Sequence, residues 1–446
     1  MIGEENMPTW IKELRPTLAL ALPIMLGQVS QMLMGILDSI MVGRVGAVPL
    51  AGAAFAGAVF TVFFVGCIGL LQPGAVLVAR EHGAGRDDLC GLWLRHARRL
   101  AWVAGAGLGA LMLGLLVAKD HFGQPAEVVA VMGPYFALIA VSLVPTLLFQ
   151  VDRQFAEALG RAWAPLVIML GSVALNAVLN WIFIYGKLGF PAWGLTGAGL
   201  ATLVARVVSV LVLRAWLGRV GEFRVAMAEA RRAGVEAGRM RELLALGLPM
   251  GAALFFETAA FSAAAVMAGW LGTVSLAAHQ IVISCAALTF MVPLGVALAL
   301  GVRVGKAVGA GRRAAVRPIA LGATLFVVAA AAVTTLGYIV WGGRIAALFV
   351  ADLAVVALAG RVFVVVVFFQ LFDGLQVVFA GALRGLTDVR VPTLVAFGAY
   401  WGVALPLGYF WGVRGGGGLL AIWVALAAGL ALAAILLGAR LRWMTR

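Results

Sequence analysis

The sequence predicts an all-α polytopic membrane protein, with twelve transmembrane helices in two six-helix lobes related by pseudo-twofold symmetry. Three observations predict it. Of the 446 residues, 63% are hydrophobic and only 12% charged, with a mean hydropathy of +1.06, against about 25% charged in an average soluble chain. Apolar runs close to the roughly 20 residues that a helix needs to cross a bilayer recur along the whole length and leave no separate soluble domain. The second half of the chain also repeats landmarks of the first at a fixed offset.

Each span is bracketed by charge. The first, 17 to 42, follows Lys12 and Arg15 and stops before Arg44; the second, 49 to 78, stops before Arg80 and Arg86. The third, 100 to 118, lies between the Arg95, Arg98, Arg99 group and Lys119, and the fourth, 128 to 150, ends at Arg153. Arg161 and Lys187 flank the fifth, 164 to 185, and the sixth, 196 to 217, runs into a basic stretch from Gly218 to Met240. The seventh, 244 to 268, and eighth, 275 to 301, precede Arg303 and Lys306. The ninth, 319 to 341, lies between Arg317 and Arg344, the tenth, 354 to 380, ends before Arg384, and the eleventh, 392 to 412, lies between Arg390 and Arg414. The twelfth, 417 to 438, ends before Arg440.

An even number of spans puts both termini on one side. That side collects 26 of the 33 basic residues, so the positive-inside rule predicts cytoplasmic termini; the expected location is the plasma (inner) membrane. The net charge of +14 is thereby explained by topology, and no nucleic-acid partner is expected. The N-terminal lead mixes acidic with basic residues and shows no small-residue cleavage site, which reads as a retained segment. Cys67, Cys90 and Cys285 lack metal-site spacing, and His82, His96, His121 and His279 are scattered, so neither a metal cluster nor another cofactor is expected.

The repeat is gapless over five landmarks. Pro23 and Pro249, Gly43 and Gly269, Gly46 and Gly272, Leu50 and Leu276, and Gly85 and Gly311 are all separated by 226 residues. With six spans per half, the repeats insert in the same orientation. The domains are therefore residues 1–217, a connector at 218–243, and residues 244–446.

Ionisable groups within a bilayer are costly, by about 2.5 to 3.5 kcal/mol on insertion scales, and so mark functional candidates. Asp38 in the first span, Glu257 in the seventh and Asp373 in the tenth qualify, and Gln370 and Gln376 flank Asp373 on its own helix face. Asn176 and Asn180 stand one turn apart in the fifth span, and in the sixth Thr202 follows the Ala198 carbonyl by one turn. A carboxylate, amide oxygens, a hydroxyl and a carbonyl are hard ligands suited to a small hard cation such as sodium. The other candidate is a proton, because a carboxylate removed from water is drawn toward its neutral form. Arg206, also within a span, fits either a buried ion pair or a snorkelling side chain.

The stretches "DSIMVGRVGAVPLAG", "GLLQPGAVLVAREHGAGR", "FFETAAFSAAAVMAGWLGTVSLAAHQI", "MVPLGVALALGVRVGKAVGAGR" and "ALRGLTDVRVPTLVAFGAYWGVALPLGY" resemble the multidrug and toxic compound extrusion (MATE) transporters, nearest the NorM-type branch. The resemblance implies export of organic, often cationic, compounds driven by inward sodium or proton flow. It also implies a first-lobe cation site at Asp38, Asn176, Asn180 and Thr202, an acidic pair at Glu257 and Asp373, and substrate contacts at Gln280 and Asp352. One position departs from the pattern: Phe369 stands where some relatives carry a tyrosine, which weakens the case for sodium in the second lobe.

The expectation is thus a cation-coupled antiporter, H⁺ or Na⁺, that works as a monomer on small organic cations by alternating access. A flippase for lipid-linked oligosaccharide or another lipid-like substrate is the alternative, but an anionic cargo calls for a basic cavity. An enzyme is not expected, since the buried residues offer no nucleophile beside a base. A channel is disfavoured by the twofold repeat and the lack of a filter-like loop.

Overall fold

The computed structural model describes residues 8–232 and 234–446. Among these, twelve helices are long and apolar enough to cross a membrane and there is no strand. The spans are α1 (Thr9–Gly43), α2 (Ala47–Gly83), α3 (Asp87–Lys119), α4 (Ala126–Ala158), α5 (Trp163–Tyr185) and α6 (Gly194–Arg219). After a short helix α7 (Arg224–Arg232) come α8 (Ala237–Trp270), α9 (Thr273–Gly309), α10 (Arg313–Ala347), α11 (Leu353–Gly385), α12 (Arg390–Arg414) and α13 (Gly418–Met444).

Most of these helices outrun the apolar stretches that announce them. The third apolar run starts at 100, but α3 begins at Asp87, whose carboxylate, with that of Asp88, complements the exposed N–H groups of a first turn. The polar extension carries the basic residues that the charge sorting used. Several helices are irregular; α4, for one, is interrupted at Ser142. In α2 the helix ends at Leu71 and restarts at Pro73, a residue suited to a first turn because it has no N–H to satisfy. In α12 two π-helical turns, Gly398–Ala404 and Gly408–Arg414, replace ordinary helix.

The chain forms two compact units, one of Leu26–Gly251 and the other of the chain up to Met25 together with Ala252–Arg446. The two division points, after Met25 and after Gly251, are themselves 226 residues apart. Each follows a repeat-related proline by two residues, Pro23 inside α1 and Pro249 inside α8.

In the Leu26–Gly251 unit, small residues let backbones approach closely, as membrane helices require when lipid gives no hydrophobic incentive to pack. A Cβ on Gly197 of α6 would stand 2.5 Å from the Phe183 carbonyl oxygen of α5. One on Gly91 of α3 would stand 2.0 Å from the Ala226 oxygen of α7, so α7 lies directly on α3. The seating of α7 is reinforced by Arg95, whose Nη1 donates to Ala230 O at 3.3 Å. Just beyond α7, the Glu236 N–H donates to His96 Nε2 at 2.8 Å. Beneath these, Asp152 of α4 is fully buried between Arg98 of α3 at 2.6 Å and Arg214 of α6 at 2.9 Å. The arginines at this end therefore tie helices together as well as marking topology.

In the other unit, the core gathers around Trp423, Tyr400, Phe363 and Phe369, all at most 2% exposed. The Arg303 guanidinium of α9 binds Glu13 and Thr17 of α1, fixing the first turns of α1 to this unit.

Candidate functional site

In the Leu26–Gly251 unit, the candidate residues of the fifth and sixth spans converge on Asp38. Close approach of α6 to α5 at Gly197 and a bond from Tyr185 OH to Met41 O at 2.8 Å hold the three helices in register. Asn180 Nδ2 donates to Asp38 Oδ1 at 2.6 Å and lies 3.2 Å from Asn176 Oδ1. Thr202 Oγ1 is 3.3 Å from Asp38 Oδ2 and 2.9 Å from Ala198 O, and it accepts from Asn176 Nδ2 at 3.4 Å. Asn176, Asn180, Thr202 and Ala198 are all buried. Asn180 Oδ1, buried among them, has no hydrogen-bond partner.

Asp38 and Thr202 open onto a cavity of about 390 Å³, within the range of drug-sized pockets. Its walls are mostly apolar, including Met34, Phe60, Phe64 and Tyr135, and Gln31 and Gln150 add polar groups. Arg206 is the one basic side chain among the cavity-lining residues. Its Nη1 donates to Ser142 Oγ at 2.6 Å, and its guanidinium lies 4.6 Å from the centre of the Phe60 ring. It neither snorkels nor forms a contact ion pair with Asp38. The sequence flagged it as a lone arginine in an apolar span, but its partners come from α4 and α2 and could not be foreseen.

In the second unit, Asp373 of α11 is buried, and its Oδ1 has no hydrogen-bond partner. Glu257 of α8 is partly buried and interacts through charge with Asp373, with Arg384 and with Tyr400. The flanking glutamines turn to different neighbours. Gln376 Oε1 accepts from Tyr400 OH at 3.0 Å, whereas Gln370 accepts from Thr334 Oγ1 at 3.0 Å and bonds Thr289 of α9. Thr289 in turn meets Tyr338 OH at 3.1 Å. Asp373, Gln370, Thr289 and Thr334 line a chamber of about 40 Å³, room for a water molecule or a small ion.

Phe369 packs its ring against Phe261 and Trp423. The phenol that this position lacks is supplied nearby by Tyr400, whose ring also contacts Phe261 at 5.8 Å. Tyr400 sits on the first π-helical turn of α12, a backbone form enriched at functional sites. Nothing in the residue pattern announces that turn.

The structure does not bring Gln280 or Asp352 into this network. Gln280 is exposed on α9. Asp352 caps α11, its Oδ1 accepting from Ala354 N at 2.8 Å and Val355 N at 3.4 Å. Among the described residues no group of three or more His, Cys, Asp or Glu side chains could hold a metal ion.

Two six-helix repeats, each with a carboxylate set in polar company inside an apolar bundle, define a multi-pass membrane transporter built by internal duplication. The MatE family model matches the chain twice, over residues 23–182 and 249–410, one match per repeat. The chain belongs to the MATE family of membrane transporters. It is 35% identical to a probable multidrug resistance protein NorM of Mesorhizobium japonicum, over 99% of this chain and 95% of that protein. It is 33% identical to the multidrug resistance protein PmpM of Pseudomonas aeruginosa, over 96% of this chain and 91% of that one. Its fold matches an outward-facing multidrug resistance MATE transporter with a TM-score of 0.88 at 21% identity, covering 97% of this chain and 96% of the other. A eukaryotic MATE transporter gives 0.85 at 19% identity, with the same coverage.

Proposed function

We propose that this protein is a multidrug efflux antiporter of the bacterial plasma membrane. It exports amphipathic, often cationic organic compounds in exchange for inward-moving H⁺ or Na⁺ by alternating access, as a monomer with both termini in the cytoplasm. The multidrug resistance proteins that it resembles over nearly their full length support the substrate class.

The observation that carries the coupling is the orphaned Asn180 Oδ1 beside Asp38. A buried acceptor without a donor costs roughly 1 to 3 kcal/mol, and a cation at Asp38 would relieve it. Asp38, Asn176, Asn180, Thr202 and the Ala198 carbonyl supply hard oxygens suited to sodium. A proton on Asp38 serves the same electrostatic purpose without filling that acceptor set.

Arg206 sharpens the exchange. With Asp38 ionised, the side chains lining the cavity carry one negative and one positive charge and sum to zero. An ion on Asp38 leaves only the guanidinium, so loading makes the cavity positive and expels an organic cation. Glu257 and Asp373, with Tyr400 and Gln376 around them, form a second coupling position. Gln280 and Asp352 are proposed as outlying substrate contacts. The oligosaccharide flippase reading has Arg206 in its favour, but the carboxylate in the same cavity opposes an anionic cargo.

Reconstituted efflux of a fluorescent organic cation, with sodium and proton gradients imposed separately, tests the proposal. Transport under one gradient, lost in Asp38→Asn, is expected. Transport under neither, or an undiminished rate in Asp38→Asn, would overturn it.

A further inference from the structure

A second large cavity, of about 820 Å³, opens in the other unit, at the end where α1 and α10 begin and α13 finishes. Arg317, on the first turns of α10, and Arg442, on the last turn of α13, stand at its mouth beside Trp10. Both arginines are exposed, and neither has an ion-pair partner among the described residues. Two acids of this unit are already taken, Glu13 by Arg303 and Asp388 by Arg440. Among the described residues no carboxylate lines the cavity.

Below the mouth the lining turns apolar. Along α11 it passes from Phe379 through Leu375 to Phe372, and along α13 from Arg442 to Ile435. Each descent covers seven residues, about 10 Å of helix. Leu321 and Ile435 are 49% and 65% exposed, so the groove opens sideways at the bundle surface. A cationic rim over an apolar shaft matches one kind of molecule, an amphiphile with an anionic head.

In the first repeat the equivalent position is covered. Counting back 226 residues, Arg317 and Leu321 correspond to Gly91 and Arg95. In their own unit these are the residues that hold the connector. Gly91 and Arg95 meet Ala226 and Ala230 of α7. The first repeat closes its groove with its own chain, whereas among the described residues the second has no such helix.

We propose that this groove seats an acidic phospholipid, its phosphate held between Arg317 and Arg442 and its proximal acyl carbons laid against Phe372, Leu375 and Phe379. Guanidinium forks suit phosphate oxygens, and Trp10 supplies the amphipathic ring favoured at the headgroup level.

The test is native mass spectrometry of the purified full chain with phosphatidylglycerol or phosphatidylcholine of identical acyl chains. One arginine near an anionic headgroup is worth about fivefold in affinity, and two about 25-fold. Wild type should therefore retain phosphatidylglycerol preferentially, and the Arg317→Gln/Arg442→Gln double variant should lose that preference while retaining phosphatidylcholine as before. Equal retention of both lipids by wild type, or an undiminished preference in the double variant, would overturn the proposal.

Discussion

Truncating Asn180 to alanine separates a functional hydrogen bond from a structural one. Its Nδ2 donates to Asp38 Oδ1 at 2.6 Å, and its side chain is fully buried, so no bulk water replaces the donor. A hydrogen bond to a charged group contributes about 1.5 to 3 kcal/mol. Without it the ionised carboxylate is less stable, and an organic cation that depends on that charge should bind roughly 10- to 150-fold more weakly. The assay is the Kd of a fluorescent organic cation for the purified protein in lipid nanodiscs, with thermal unfolding as a check on the fold. Combining Asn180→Ala with Asp38→Asn completes a cycle: if Asn180 acts through the carboxylate, its truncation should cost little once the charge is gone. An unchanged Kd in the single variant, or full additivity in the double, would refute the reasoning.

Other perturbations probe different parts of the molecule. Arg206→Gln removes the fixed positive charge from the cavity and should tighten binding of a monovalent organic cation; equal or weaker binding, measured by the same titration, would count against the proposed charge switch. Asp152→Asn leaves Arg98 and Arg214 facing an uncharged group, and should cost about 3 kcal/mol, at the low end because Arg214 is one-third exposed; the thermal midpoint should drop clearly. Gly91→Leu places side-chain atoms where the Ala226 carbonyl now lies, so α7 should lift from α3. Limited proteolysis within residues 219–236 should then accelerate, while a rate equal to wild type would mean that α7 tolerates displacement.

The sequence made the transmembrane count and the repeat legible because lipid leaves a crude signal: twenty apolar residues, then arginine. It was poorer on helix ends, since hydropathy registers only the hydrocarbon and not polar turns such as those over 87–99. One-turn spacing paired Asn176 with Asn180 and Ala198 with Thr202, the family resemblance implied their grouping with Asp38, and the structure brings them together. Arg206 could be noticed but not placed, because Ser142 and Phe60 lie far away in the chain. Tyr400 was invisible, since a π-helical turn depends on what packs around it. The connector helix did leave a trace, with Ala226, Met227 and Ala230 at helical spacing within a basic stretch and all buried.

The division of the chain after Met25 and after Gly251 bears on how such a protein can be taken apart. A cut in the connector would look harmless by sequence, yet each fragment would carry off a helical stretch belonging to the other's folded body: residues 9–25 leave with one, and residues 237–251 with the other. Neither piece made alone has a complete set of partners. Two fragments cut there should therefore fold only when both are present.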